Sequence, residues 1–513
     1  MGRAGCPDAF RRVEANHTIV RCKSQMKRIF SYALAALLVG ACLRLFFVLK
    51  FPANSGDTVI YEQIATNWLR HHLFAMDIAG QPTPVDLRMP GYPAFLAILY
   101  ALSGKVGEQT RFLLMVAQVC VDLLTCLVVG GLAALLALIC NQRLSWQRAF
   151  IVGVWLAALC PFTANYVAVP LTEIWATFFT AVAFCFLSLV AVQATGAAPD
   201  WLPLPRWAKN VWAVAALAGF TVGLGTLFRP EAPLLLLTTS ALLAYYLLRR
   251  RQTKRLVALL FVLGISCIVP VIPWTIRNAV TLHEFQPLAP KDTNLPGEVD
   301  PKGFMAWERT WLYRFRDCYL VPWKLNDEAI NLEDIPATAF DTPEEKQRVA
   351  TVLDMYNEEL TWTPQEDQIF ARLARERTAR HPLRTYLWIP LRRAVRIWFT
   401  PRIELIPVSG HVFPLRYMWV EDRVDQRVTV CYFFLNILYV ALGLLGAWKL
   451  WKCPYAKPAV AMMLLYILAR TAFLTTLETP EPRYVLVCFP ALFAVGAQLF
   501  TRASAALSSP TMV

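Results

Sequence analysis

The chain has 513 residues, 57% of them hydrophobic and 17% charged, with a mean hydropathy of +0.44 and a formal net charge of +14. Soluble proteins average about 25% charged residues, so this composition excludes a string of soluble domains. It points to an all-α polytopic membrane protein built on apolar runs of about 18 residues or more.

Ten spans are predicted, at 29–49, 111–138, 148–168, 172–193, 210–228, 232–248, 257–275, 429–448, 458–475 and 484–501. A basic arm, 1–28, with Arg21, Lys23, Lys27 and Arg28, precedes the first. That apolar run is long for a signal peptide and lacks a small-x-small cleavage site, so it reads as an uncleaved helix. With the N-terminus placed in the cytoplasm, the cytoplasmic segments hold 20 Lys and Arg against three acids, LLRRRQTKR being the strongest piece. This asymmetry puts both termini inside. The positive charge is therefore topology, and no nucleic-acid partner is implied. The expected organisation is the arm 1–28, an N-terminal transmembrane module 29–275 with outer loop 50–110, an outer soluble domain 276–428, and C-terminal spans and tail 429–513.

The loop after span one carries GDTVIYEQIATNWLRHH and then DLRMPGYP, a polar floor with Asp57, Tyr61, Glu62, Asp86, Arg88 and Tyr92. Ile60, Ile64, Trp68 and Leu69 recur at helical spacing, predicting an amphipathic helix on the membrane from Asp57 to about His71. Asp57 is its N-cap or first-turn acid, and capping alone would explain an Asp there, at about 1 kcal/mol. Pro90, Gly91 and Pro93 shape the entry to a second short helix, 94–102. Arg88 reads equally as a phosphate ligand or as a side chain snorkelling to headgroups.

Asp122 lies deep in span two, where an acid costs several kcal/mol unless paired; Arg44 or Arg470 as partner would make it structural. The outer mouths of later spans receive Glu173, Arg229 with Glu231, Arg277, and the turn TLETPEPRY with Glu478, Glu481, Arg483 and Tyr484. Each charge alone is a common helix-end anchor. Together they bring arginine and carboxylate from independent connections to one face, and the cytoplasmic loops show no matching pattern.

Within 276–428, Thr342-Pro343-Glu344-Glu345 and Thr363-Pro364-Gln365-Glu366 read as capping boxes that open helices 343–359 and 364–380. The stretch LRTYLWIPLRRAVRIWF mixes aromatic residues with Arg384, Arg392, Arg393 and Arg396, as suits an interfacial helix on anionic headgroups or phosphates. Of thirteen cysteines only Cys318 falls in this domain, so no disulfide framework is expected. No His/Cys cluster has zinc-ligand spacing, and no glycine-rich phosphate loop is present.

A carboxylate among arginines at the outer lip of a helical bundle suits sugar transfer from a polyprenyl-phosphate donor. The carboxylate takes a proton from the acceptor hydroxyl, and guanidinium clamps the leaving lipid phosphate. The sequence also resembles the GT-C integral-membrane glycosyltransferases, in the branch of the protein O-mannosyltransferases and the lipid A aminoarabinose transferase. The resemblance rests on GDTVIYEQIA, LRMPGYPAFLAILY, VPLTEIWATFF, LGTLFRPEAPLLL, PWTIRNAVTLHEF and PEPRYVLVCFPALF, in that order across nearly the whole chain.

The resemblance implies an inverting hexosyl- or pentosyltransferase of a bacterial cytoplasmic membrane with a periplasmic site. In that reading Asp57 is the base or acceptor-orienting acid and Glu173 the second acid. Arg88, Arg277, Arg229 and Arg483 hold phosphate, and Tyr61, Glu62 and Tyr92 line the substrate. Some members bind a divalent metal near these acids, and here the ligand set is open. The acceptor, a lipid, glycan or protein, is open as well, because Asp57 is followed by Thr58 where many protein mannosyltransferases carry an Asp-Glu pair. A transporter or flippase with Asp122, Arg44 and Arg470 as its relay is the alternative, although such folds usually carry repeats and none is seen. A structural subunit presenting 276–428 to a partner is a third.

Overall fold

The computed structural model describes residues 7–142, 145–290, 299–413, 415–416 and 423–501. The side chains of Arg21 and Lys23 in the basic arm, and the C-terminal tail from 502, lie outside the described residues. Among the described residues the fold is all-α apart from one small hairpin.

Helix α1 (Pro7–Lys50) carries the first apolar run. The first loop then folds as α2 (Gly56–His71), the antiparallel pair β1 (Ala75–Ile78) and β2 (Gln81–Pro84), and α3 (Gly91–Ser103). In the pair, Ala75 faces Pro84 and Ile78 faces Gln81 across a turn in which Ala79 and Gly80 both have positive φ. Next come α4 (Arg111–Ile139), α5 (Trp146–Ala158), the single turn α6 (Pro161–Ala164), α7 (Glu173–Ala194), α8 (Val211–Thr226), α9 (Leu234–Arg249), α10 (Thr253–Ile268) and α11 (Ile272–Thr281). An inserted region holds α12 (Lys302–Glu308), α13 (Phe315–Leu320), α14 (Pro343–Glu359), α15 (Pro364–Arg380) and α16 (Ile389–Trp398). The chain closes with α17 (Arg423–Trp451), α18 (Lys457–Thr475) and α19 (Phe489–Gly496).

Among the described residues seven runs are long and apolar enough to cross a membrane: Lys27–Lys50, Gly107–Ile139, Glu173–Ala194, Thr253–Thr281, Val424–Trp451, Lys457–Thr475 and Pro482–Phe500. Trp146–Ala158 and Pro161–Ala168 make an eighth when taken together, bent by 54° at a break next to Pro161, as expected where proline removes a helix donor. The count therefore differs from ten at 210–228 and 232–248, where α8 and α9 have 16 residues each, about 24 Å of helix.

Small residues let these helices close on one another. A Cβ at Gly223 of α8 would sit 2.3 Å from the Cys267 carbonyl of α10, so the two backbones touch with no side chain between them. The inserted region has a separate core, in which Phe304, Trp307, Trp362 and Phe370 pack edge and face.

The two expected caps differ. Thr363 and Glu366 form a complete capping box, each side chain satisfying the other's backbone N–H. The Thr342 hydroxyl accepts from Glu345 N at 3.2 Å, but the Glu345 carboxylate turns to Asp341 N and to Arg377 instead. The arginines of 383–399 also divide. Arg384 pairs both ways with Asp341, at 2.6 and 3.0 Å, and buried Arg393 donates to the carbonyls of Leu312 and Thr475. Only Arg392 and Arg396 stay exposed, a correction to the expectation that all four face headgroups.

Candidate functional site

Asp57 stands in the first turn of α2 and is not its cap. Ser55 caps the helix, its hydroxyl accepting from Asp57 N, while the Thr58 hydroxyl accepts from Ser55 N in return. With the cap supplied by others, the Asp57 carboxylate is directed outward and takes a hydrogen bond from Arg88 Nη2 at 2.6 Å. Arg88 is positioned by the approach of two loops. Gly91 N donates to the Leu227 carbonyl at 2.7 Å, and a Cβ at Gly91 would lie 2.6 Å from that oxygen. Only glycine allows the first loop to lie this close to the α8–α9 turn, which carries Arg229.

Glu173, at the start of α7, is buried and pairs with Arg229 through one oxygen; its other oxygen, Oε2, has no hydrogen-bond partner among the described residues. Arg229 Nε also donates to Thr172 Oγ1 at 3.0 Å. Arg483 bridges the two acids, with Nη2 3.5 Å from Asp57 and Nε 3.4 Å from Glu173, and is itself held by Glu481. Asp57, Glu173, Arg88, Arg229 and Arg483 line one cavity of about 290 Å³ together with Tyr61, Glu231 and Tyr484.

Burial works against ionising Asp57, yet the guanidinium groups of Arg88, Arg483 and Arg229 hold its carboxyl below the usual carboxylate range. Glu231 is likewise held low by Arg229 and Arg470 in spite of its burial. Burial, with Asp57 nearby, pushes the Tyr61 phenol up to about 12, so it is a neutral donor. Glu481 moves the other way, raised because burial outweighs Arg483.

Three expected site residues lie apart from this cavity. Arg277 donates to the carbonyls of Val85 and Phe74, at 2.8 and 2.6 Å, and lies over the rings of Phe74 and Trp274. It fastens the β1–β2 segment to α11 and borders a second, mostly apolar cavity of about 380 Å³. Glu62 is paired through both oxygens with Arg111, at 2.7 and 2.8 Å. Tyr92 is fully buried, its hydroxyl donating to Gln118 Oε1 at 2.8 Å. Each is committed to neighbours that hold the first loop on the bundle.

The deep charges are separated too. Arg44 pairs with Asp122 inside the bundle, while Arg470 reaches Glu231 at 3.1 Å. Glu231 and Tyr484 also line the cavity and were not among the expected site residues; their signals in the sequence are the RPE spacing of Arg229 and Glu231 and the outer turn TLETPEPRY. Metal ligation was left open by the sequence. Among the described residues no three His, Cys, Asp or Glu side chains converge as a metal site. The carboxylates of this cavity meet guanidinium instead, so the donor set does not fit a divalent ion.

No family model matches the chain, and no curated protein matches it significantly. Several solved structures are similar at low identity. The archaeal oligosaccharyltransferase AglB from Archaeoglobus fulgidus, in complex with an inhibitory peptide and a dolichol-phosphate, aligns over 92% of this chain and 50% of its own, at 14% identity and a TM-score of 0.46. The apo form of the Archaeoglobus fulgidus oligosaccharyltransferase aligns over the same shares at 13% identity and a TM-score of 0.48. ArnT from Cupriavidus metallidurans in the apo state aligns over 92% of this chain and 78% of its own, at 13% identity and a TM-score of 0.38. The chain spans about half the length of the oligosaccharyltransferase chains it matches.

Proposed function

We propose that the chain is a GT-C-type membrane glycosyltransferase that moves a sugar from a polyprenyl-phosphate donor to an acceptor hydroxyl at the outer face of a bacterial cytoplasmic membrane. The observation that carries this reading is the shared cavity, where the carboxylates of Asp57 and Glu173, together with Glu231, and three guanidinium groups face one space at the ends of apolar helices. Catalysis here needs an acid to orient and deprotonate the acceptor and cations to take the charge that develops on the departing phosphate. In the reaction the acceptor oxygen bonds the anomeric carbon, the bond from that carbon to the phosphate oxygen breaks on the opposite face, and the configuration inverts. The hydroxyl proton passes to a carboxylate.

The two acids suit different parts of that work. Asp57, ionised and shared between Arg88 and Arg483, is a weak base and a good hydrogen-bond acceptor, which fits orientation of the acceptor hydroxyl. Glu173 keeps one oxygen, Oε2, without a hydrogen-bond partner among the described residues, which leaves it an acceptor position for the hydroxyl hydrogen. Arg88, Arg229 and Arg483 supply donors to the phosphate. The transporter reading gains nothing from the geometry, since Arg44 and Arg470 serve different acids. The test is release of polyprenyl phosphate from polyprenyl-phosphate sugars by purified protein, with acceptors of the lipid, glycan and protein classes. Turnover is expected, and Asp57→Asn and Glu173→Gln are each expected to lower it about a hundredfold or more. Wild-type turnover in both variants, or no release from any donor sugar, overturns the proposal.

A further inference from the structure

We infer that α16 and the adjoining α13 segment form a docking site for the headgroups of anionic phospholipids in the surrounding bilayer. The inference does not depend on the reaction proposed above. Leu383, Leu387, Leu391, Val395 and Phe399 recur at every fourth position, and all are exposed. Their buried counterparts, Ile389, Arg393, Ile397 and Trp398, face the protein. A helix with this division places its apolar stripe in the acyl boundary and its polar flank among headgroups.

The depth of the stripe is fixed by two hydrogen bonds. Arg393 Nη1 donates to the Thr475 carbonyl at 3.1 Å and Trp398 Nε1 to Thr471 Oγ1 at 2.9 Å. Thr471 and Thr475 belong to the last turn of α18, itself long and apolar enough to cross a membrane. The stripe therefore lies level with the end of a span, where the hydrocarbon gives way to headgroups.

The flank at that level is basic. Arg392 and Arg396 are exposed, as are Arg314 and Arg316 on the neighbouring segment, and the guanidiniums of Arg392 and Arg314 lie 5.3 and 5.4 Å from the Tyr313 ring centroid. Asp317 lies in the field of three guanidinium groups, Arg314, Arg316 and Arg396, so positive charge is in surplus around it. Phe315, Tyr319 and Trp323 pack edge to face beside it, the Tyr319 and Trp323 ring centroids 4.5 Å apart and both residues exposed, in the aromatic composition of a membrane–water boundary. Guanidinium beside an apolar stripe at headgroup depth matches the phosphate of an anionic lipid.

Native mass spectrometry of the delipidated full-length protein, titrated with phosphatidylglycerol or phosphatidylcholine, tests this. The double variant Arg392→Gln/Arg396→Gln is expected to retain phosphatidylglycerol about thirtyfold more weakly, with phosphatidylcholine unchanged. Arg392→Lys/Arg396→Lys should keep most of the preference, and wild-type melting behaviour of the Gln variant shows that it is folded. Equal phosphatidylglycerol retention by wild type and the Gln variant overturns the inference, as does an equal loss of both lipids. Inorganic phosphate displacing the lipid at similar concentration would make this a free-phosphate site and also overturn it. So would an equal loss of added polyprenyl phosphate, which would assign the arginines to the donor.

Discussion

Two carboxylates respond to pH in opposite senses because at one, partly exposed, three cations outweigh burial, while at the other, almost fully buried, burial outweighs two cations. Asp57 is held low by three arginines. The stability it contributes is complete above the ordinary aspartate value of about 3.9 and is lost only as pH falls through its lower folded value. Its ionisation therefore does not limit activity near neutral pH. Glu308, the last residue of α12, is nearly fully buried with Oε1 unpartnered among the described residues. Burial pushes its carboxyl up to about 8, with Arg393 and Arg309 only partly opposing. The folded chain thus keeps a proton that the unfolded chain releases from about pH 4.3 upward, so folded stability falls as pH rises from there through about 8. Glu308→Gln is expected to melt like wild type below this window and at a higher temperature above it, flattening the dependence. Parallel pH profiles of melting temperature for the two proteins would refute the assignment.

At the scale of elements, the cavity depends on how closely the first loop lies on the α8–α9 turn. Gly91→Ala places a methyl 2.6 Å from the Leu227 carbonyl, and backbone cannot yield as a side-chain end can. Overpacking of this kind costs about 1–3 kcal/mol, and here the strain moves Arg88 away from Arg229. Polyprenyl-phosphate release is expected to fall at least about tenfold, with only a modest drop in melting temperature; unchanged turnover would show that the approach of the loops does not set the site. How much of this was legible in the sequence follows from the range of the interactions. Local rules gave α14 and α15 to the residue, because a Thr-Pro start with Glu three positions after the cap is a short-range signal. Helix α2 was legible from its periodicity. The β1–β2 pair was not, since QPTP has two prolines and four residues, and its strand character depends on Arg277 gripping Val85 and Phe74. Arg277 lies outside the cavity for the same reason: its long-range acceptors, Val85 and Phe74, are backbone carbonyls, which leave no trace in side-chain order. That Arg44 takes Asp122 while Arg470 takes Glu231 is likewise a matter of tertiary approach.

For the whole molecule, α8 and α9 decide the number of crossings. Sixteen residues of helix cover about 24 Å, short of the roughly 30 Å hydrocarbon core, so neither passes as a span on length. Their contacts reach further. At the cavity end, Arg229 just beyond α8 pairs with Glu173 at the first residue of α7. At the other end, Gln193 near the close of α7 donates to the Ala208 carbonyl just before α8, and Arg250 just after α9 donates to the Thr195 carbonyl at 2.5 Å. The α8–α9 hairpin thus joins the same two levels as the 22-residue α7, the difference being taken up by the 3₁₀ turn Arg206–Lys209 and the Leu227–Pro233 turn. Both helices should then cross, with the Arg249–Arg251 cluster inside as the basic asymmetry requires. Reporter fusions scored on each side of the membrane are expected to read outside after residue 230 and after residue 340, and inside after residue 252. A fusion at 230 that reads the same side as one at 252 would show that the hairpin is re-entrant, and would remove Arg229 from the face that carries Asp57.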